Sequence, residues 1–198
     1  MVPASFSPDG SVLLYSSRVH SSTCGIFAVR PEGDRTPETV LDTGAHESTP
    51  KFSPDGNWFA YEAIAAGTGN DVRRDVWVRE YPDGPPLKVS IDGGQSPMWS
   101  KDGRELFYQS ADGMMMAAAI QTDPVLDRDV PRQLFQMNGL TPFEWRYTSS
   151  PRSIHYDVRA DGTFLMLKEP VPKDWPPPMI NVWLDWGEEL KRRMPTGR

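Results

Sequence analysis

The stretch Pro50-Lys51-Phe52-Ser53-Pro54-Asp55-Gly56-Asn57-Trp58-Phe59-Ala60-Tyr61-Glu62, followed by Asp75-Val76-Trp77-Val78-Arg79-Glu80, decides the reading of this chain. Its central phrase recurs as Phe6-Ser7-Pro8-Asp9-Gly10, as Trp99-Ser100-Lys101-Asp102-Gly103 and, degraded, as Val158-Arg159-Ala160-Asp161-Gly162. The four Asp residues lie 46, 47 and 59 residues apart. A period of forty-odd residues means one supersecondary unit copied along the chain. Each phrase is turn chemistry: Pro presets φ, Asp bonds its own backbone, and Gly accepts the positive φ that follows.

The residues after each turn repeat as well. Ser11–Ser16, Asn57–Glu62, Arg104–Gln109 and Thr163–Lys168 are short, aromatic and β-branched, and read as strands covered on both faces. A second strand follows at Gly25–Arg30, Asp75–Glu80, Met114–Ile120 and Ile180–Asp185, and a third closes units one to three at Glu38–Leu41, Leu87–Ser90 and Arg132–Phe135. With the strand leading into each turn, every unit has about four strands, which is one propeller blade. The predicted fold is an all-β β-propeller of about four antiparallel blades, spanning 1–47, 48–95, 96–140 and 153–187. An insertion at 141–152 and a short C-terminal helix at 187–193 complete a single array over 1–198.

Composition fits. Of 198 residues 38 % are hydrophobic and 11 % aromatic, enough to fill a core, and 20 Pro with 16 Gly suit short strands joined by turns. A net charge of −6 argues against nucleic acid, which demands a basic stripe. No transmembrane run and no leader pattern is evident, so a soluble module without membrane contact is expected. The one cysteine, Cys24, excludes an intrachain disulfide and leaves the redox compartment open.

The blade phrase, Pro-x-Phe-Ser-Pro-Asp-Gly followed by strands of the Asp-Val-Trp-Val type, resembles the TolB-type, WD40-like PD40 β-propeller repeat. Pro50–Glu80 matches best, then Pro3–Arg30, Pro97–Ile120 and Tyr156–Leu184. The closing run, from Ile180-Asn181-Val182-Trp183-Leu184-Asp185-Trp186 through Lys191-Arg192-Arg193, is similar to the end of large bacterial proteins. In those proteins such a propeller follows a serine/threonine protein kinase or a DNA-binding regulatory domain. The resemblance implies that this chain is the tail of a longer propeller, and it leaves the cellular side unassigned. A membrane-tethered parent carrying the propeller outside the cytoplasm is one arrangement that fits. No kinase part is present: there is no Gly-rich loop, no His-Arg-Asp and no Asp-Phe-Gly.

Four blades close a ring only at the lower limit of propeller size, and blade four lacks an outer strand. An open half-ring would leave flat apolar faces on blades one and four. Self-association, such as two half-rings in one eight-bladed ring, or a partner that supplies the missing blades, is therefore expected.

Few residues carry chemistry. Asp9, Asp55, Asp102 and Asp161 share one rim and read as Asx-turn caps rather than a cation-binding ring. His20, His46 and His155 fall in three different units, without zinc spacing. No Gly-x-Ser-x-Gly elbow occurs, and Cys24 reads as a half-buried thiol. The long third interval is different, because it adds Thr141-Pro142-Phe143-Glu144-Trp145-Arg146-Tyr147-Thr148-Ser149-Ser150-Pro151-Arg152. Trp145 and Tyr147 can stack on a sugar, peptide or aromatic ligand, and Arg146 can pair with a carboxylate. The alternative is that Phe143 and Trp145 fold back as a plug. Gly67–Asp71 reads as a hairpin extension and Pro170–Pro178 as a stiff linker.

Two function classes follow. The first is a noncatalytic interaction or sensor module with no cofactor, metal or catalytic residue, binding a ligand through Trp145, Arg146, Tyr147 and His155. The second is a propeller enzyme, a polysaccharide lyase or a hydrolase, working at the insertion-loop cleft. The second requires His46, His155, Arg146 and Asp157 to converge.

Overall fold

A computed structural model describes residues 2–19, 23–64, 73–137 and 156–166. Fifteen strands appear among them, and no helix. The first sheet pairs β1 (Val2–Phe6), β2 (Leu13–Arg18), β3 (Cys24–Val29) and β4 (Glu38–Leu41) in chain order, all antiparallel. The second repeats this order with β5 (His46–Phe52), β6 (Trp58–Ile64), β7 (Arg74–Glu80) and β8 (Leu87–Lys88).

The third sheet has β9 (Gln95–Trp99), β10 (Glu105–Gln109) and β11 (Met114–Gln121) in the same order. Its outer position is split between two strands: β12 (Asp127–Arg128) pairs with the end of β11 and β13 (Arg132–Gln136) with its beginning. The fourth sheet shows β14 (Tyr156–Val158) and β15 (Phe164–Met166). The first three are meander blades and the fourth sheet shows two antiparallel strands of a further unit, in keeping with the all-β propeller architecture that the repeat predicts. The insertion, the Gly67–Asp71 extension, the Pro170–Pro178 linker, the Ile180–Asp185 strand and the 187–193 helix lie outside the described residues.

Blades stack face to face because each sheet is apolar on both sides. Val12, Leu14, Ile26 and Leu41 of blade one meet Phe52, Phe59 and Tyr61 of blade two. The other face of blade two presents Ala60, Val76, Val78 and Val89 to Trp99, Leu106, Tyr108 and Ala118 of blade three. Blade three in turn packs Phe107, Met115 and Ala117 on Tyr156 and Val158 of blade four.

Inner strands are also bonded across blades. Lys51 Nζ donates to the Ala4 carbonyl at 2.9 Å, and Trp99 Nε1 donates to the Lys51 carbonyl at 3.1 Å. On the face of blade one turned from blade two, Tyr15 stacks on Phe27 at 5.7 Å yet is only 4 % exposed.

The meander fixes two rims. Every strand reverses the previous one, so the Ser-x-Asp-Gly turns and the links from third to fourth strand share one rim, here the turn rim. The hairpins between second and third strands, and the links from one blade to the next, share the opposite one, here the connection rim.

Candidate functional site

The turn rim is chemically occupied. Asp9 Oδ1 accepts from the Ser7 hydroxyl at 2.5 Å and the Ser11 amide at 3.0 Å. Asp55 repeats this with Ser53 at 2.5 Å and Asn57 at 3.2 Å, and Asp102 with Ser100 at 2.6 Å and Arg104 at 3.2 Å. Asp161 accepts from the Thr163 amide at 2.9 Å. These bonds hold the Asp9 carboxyl at about 2, with the Ser7 hydroxyl as the largest cause, and keep Asp102 and Asp161 below the usual carboxylate range. The carboxylates are spent on their own turns, as the capping reading expects. Among the described residues no group of three or more His, Cys, Asp or Glu is placed to hold a metal ion.

Among the described residues two clefts lie toward the connection rim. Between blades one and two a cleft of about 200 Å³ is lined by Thr43, Ala45, Glu47, Tyr61, Ala63, Asp75, Trp77 and Pro86. Strand register builds it: Glu47 stands opposite Ala63, Ala63 opposite Asp75, and Tyr61 opposite Trp77. Cross-strand partners share a face, so these side chains converge at the rim end of blade two.

Glu47 is 1 % exposed. Its Oε1 accepts from the Thr43 amide at 3.2 Å and from the Thr43 hydroxyl, while its buried Oε2 has no partner among the described residues. Asp75 by contrast is satisfied, accepting from Lys88 Nζ and Ser90 Oγ at 2.8 Å each. Burial, reinforced by Glu47 and opposed by Arg79, pushes the Tyr61 phenol up to about 12.

A wider groove of about 500 Å³ occupies the equivalent place between blades two and three, lined among others by Asp92, Tyr108, Asp112, Met116 and Gln133. Burial pushes Tyr108 up to about 12, and nearby Asp92 and Asp75 act in the same direction against Arg128. Asp112 caps another turn of the same type, Ser110-Ala111-Asp112-Gly113, here on the connection rim.

The residues singled out from the sequence divide unevenly. Trp145, Arg146, Tyr147, His155 and His20 lie outside the described residues. The described residues on either side of the interval that carries the first four, Met137 and Tyr156, stand at the connection-rim ends of β13 and β14. Tyr156 is buried and donates to the Ser96 carbonyl at 2.6 Å. Asp157 lies 3.7 Å from Lys101 Nζ, with its side chain 63 % exposed. His46 opens β5 on the connection rim. Cys24 is a half-buried free thiol. Glu47 escaped the sequence reading, although one signal was present: at the matching place one period later stands Gly94, so a charge interrupts the repeat there.

No protein-family model matches the chain. Among solved structures it is similar to TolB from Acinetobacter baumannii, with a TM-score of 0.56 and 15 % identity, over 86 % of this chain and 38 % of that one. A protein assigned as TolB from Agrobacterium tumefaciens gives a TM-score of 0.51 and 16 % identity, over 67 % of this chain and 48 % of that one. The fold is TolB-like.

Among curated proteins, dipeptidyl-peptidase 5 of Trichophyton equinum is 34 % identical over 125 residues, covering 54 % of this chain, and that of Trichophyton tonsurans is 28 % identical over the same length. The match spans 17 % of the length of those relatives. The proteins named here are TolB proteins and peptidases, and they lend nothing to the expectation of a kinase or DNA-binding parent.

Proposed function

We propose that this TolB-like propeller segment is a noncatalytic interaction or sensor module that binds a protein or small ligand through its connection rim. One observation carries the reading. Two clefts among the described residues, and both described ends of the interval holding Trp145, Arg146, Tyr147 and His155, lie on this rim, whereas the turn-rim carboxylates are spent on their own turns. In this reading Trp145 and Tyr147 supply stacking surface and Arg146 a bidentate donor beside the clefts. The larger parent is a signalling protein, in line with the resemblance of the closing run, and the propeller is completed by a second copy or a partner.

The similarity to dipeptidyl-peptidase 5 favours a second reading, in which the segment is the propeller portion of a peptidase whose hydrolytic machinery lies elsewhere in the parent. Fold alone grants no activity. Site-directed photo-crosslinking from the two rims in the full-length protein tests the first reading. A partner captured from the connection rim supports it, and capture confined to the turn rim contradicts it.

A further inference from the structure

We propose that the cleft between blades one and two is a binding subsite for a protonated primary amine, with Glu47 as its anion. Three observations meet there. The first is a buried carboxylate oxygen, Glu47 Oε2, with no partner among the described residues. A carboxylate removed from water with one oxygen unmet is costly unless a donor reaches it.

The second observation is that the cations beside the cleft each hold a carboxylate other than Glu47, and Arg73 Nε lies 3.5 Å from Asp75 Oδ1. Lys88 Nζ is bonded to Asp75 at 2.8 Å and sits 5.9 Å from the Trp77 ring centre. Arg79 reaches Asp83 through Nη2 at 2.5 Å and its guanidinium lies over Phe59, while its buried Nε has no hydrogen-bond partner among the described residues. Arg79 pairs in register with Phe59 while Glu47 pairs with Ala63, so Tyr61 separates the two.

The third is the lining. Tyr61 and Trp77 offer aromatic surface that attracts a cation, and Ala45, Ala63 and Pro86 offer apolar surface to an alkyl stem. A volume of about 200 Å³ exceeds several times the roughly 30 Å³ that one water occupies in the liquid, so a short alkylammonium fits. An ammonium brings three donors, one for Oε2 and the rest for the Thr43 side of the cleft or solvent.

The inference rests on the connection rim as a binding surface. The amine titration below reports on Glu47 alone and the rim crosslinks on a partner, so either can fail without the other.

The test titrates n-butylammonium chloride into the chain and follows the indole N–H resonance of Trp77, identified by its loss in Trp77→Phe. Sodium chloride of equal ionic strength and n-butanol serve as controls. We expect a saturable shift with butylammonium only, weakened about tenfold or more in Glu47→Gln, which keeps the side-chain shape and removes the charge. An unchanged shift in Glu47→Gln, an equal shift with n-butanol, or no saturable shift overturns the proposal. If Glu47→Gln fails to fold, the comparison of ammonium with alcohol on the unaltered chain still decides. A blocked lysine, Nα-acetyl-lysine methylamide, that binds more tightly than butylammonium assigns the amine to a protein side chain. A tighter aliphatic diamine assigns it to a free amine.

Discussion

At the scale of single residues, the turn carboxylates set how the molecule responds to acid. Asp9 is held at about 2 by Ser7 and Ser11, and Asp55, Asp102, Asp112 and Asp161 are lowered in the same sense. A carboxyl with a folded pKa below its unfolded value near 3.8 adds stability above 3.8 and loses it as pH falls toward the folded pKa. Each group is solvent-facing and contributes little, but five act together. The urea midpoint should therefore hold from about pH 7 to pH 5 and fall between about pH 4 and pH 2. A midpoint flat across that lower window contradicts the capping account.

The role of these Asp residues was legible because Ser-x-Asp-Gly encodes a local bond pattern. Asp112 was missed since Ser110-Ala111-Asp112-Gly113 falls off the period, inside a blade. Glu47 was not legible as a buried charge. Its burial arises from tertiary structure around β5, and no local pattern reports that.

At the scale of elements, successive turns also nest. A Cβ at Gly56 would lie 3.0 Å from Pro8 Cδ of the preceding blade, and one at Gly103 would lie 3.5 Å from Pro54 Cδ. The Pro and Gly of the phrase thus bend one turn and seat it against the next, a second reason for the repeat to be strict. Gly56 has φ +76°, a conformation that costs other L-residues roughly 1–2 kcal/mol.

Gly56→Ala should destabilise the chain by at least that amount in urea unfolding, and by more than Gly10→Ala. Gly10 shares the positive φ, at +74°, but has nothing within 4 Å of a Cβ. Equal losses at the two positions would remove the nesting from the account.

Strands β2, β6 and β10 were legible from their unbroken apolar runs, which both neighbouring blades cover. The short β12 was not, because Asp127-Arg128 has no apolar signature. It is held in part from outside its own blade, by Arg128 Nε donating to the Lys88 carbonyl at 2.8 Å.

At the scale of the whole molecule, an array of four blades must end somewhere, and the period in the sequence counts blades without saying what closes the ring. TolB-like neighbours extend well beyond the matched part, since this chain covers 38 % of one and 48 % of the other. Completion by a second copy predicts a solution mass near twice 22.3 kDa by light scattering. A clean monomer at micromolar concentration assigns completion to another partner or to the parent chain. Which rim works was legible only in part: the long third interval marked the place, while the clefts beside it arise from cross-strand register between residues far apart in sequence.

The connection rim as the working surface is the central claim, and photo-crosslinking tests it most directly. A photoreactive residue is placed at Asp42 or Ala111 on the connection rim, or at Glu32 on the turn rim, each exposed and in the full-length protein. The account predicts that positions 42 and 111 capture the same partner and that position 32 does not. Capture from position 32, with none from 42 or 111, would contradict it.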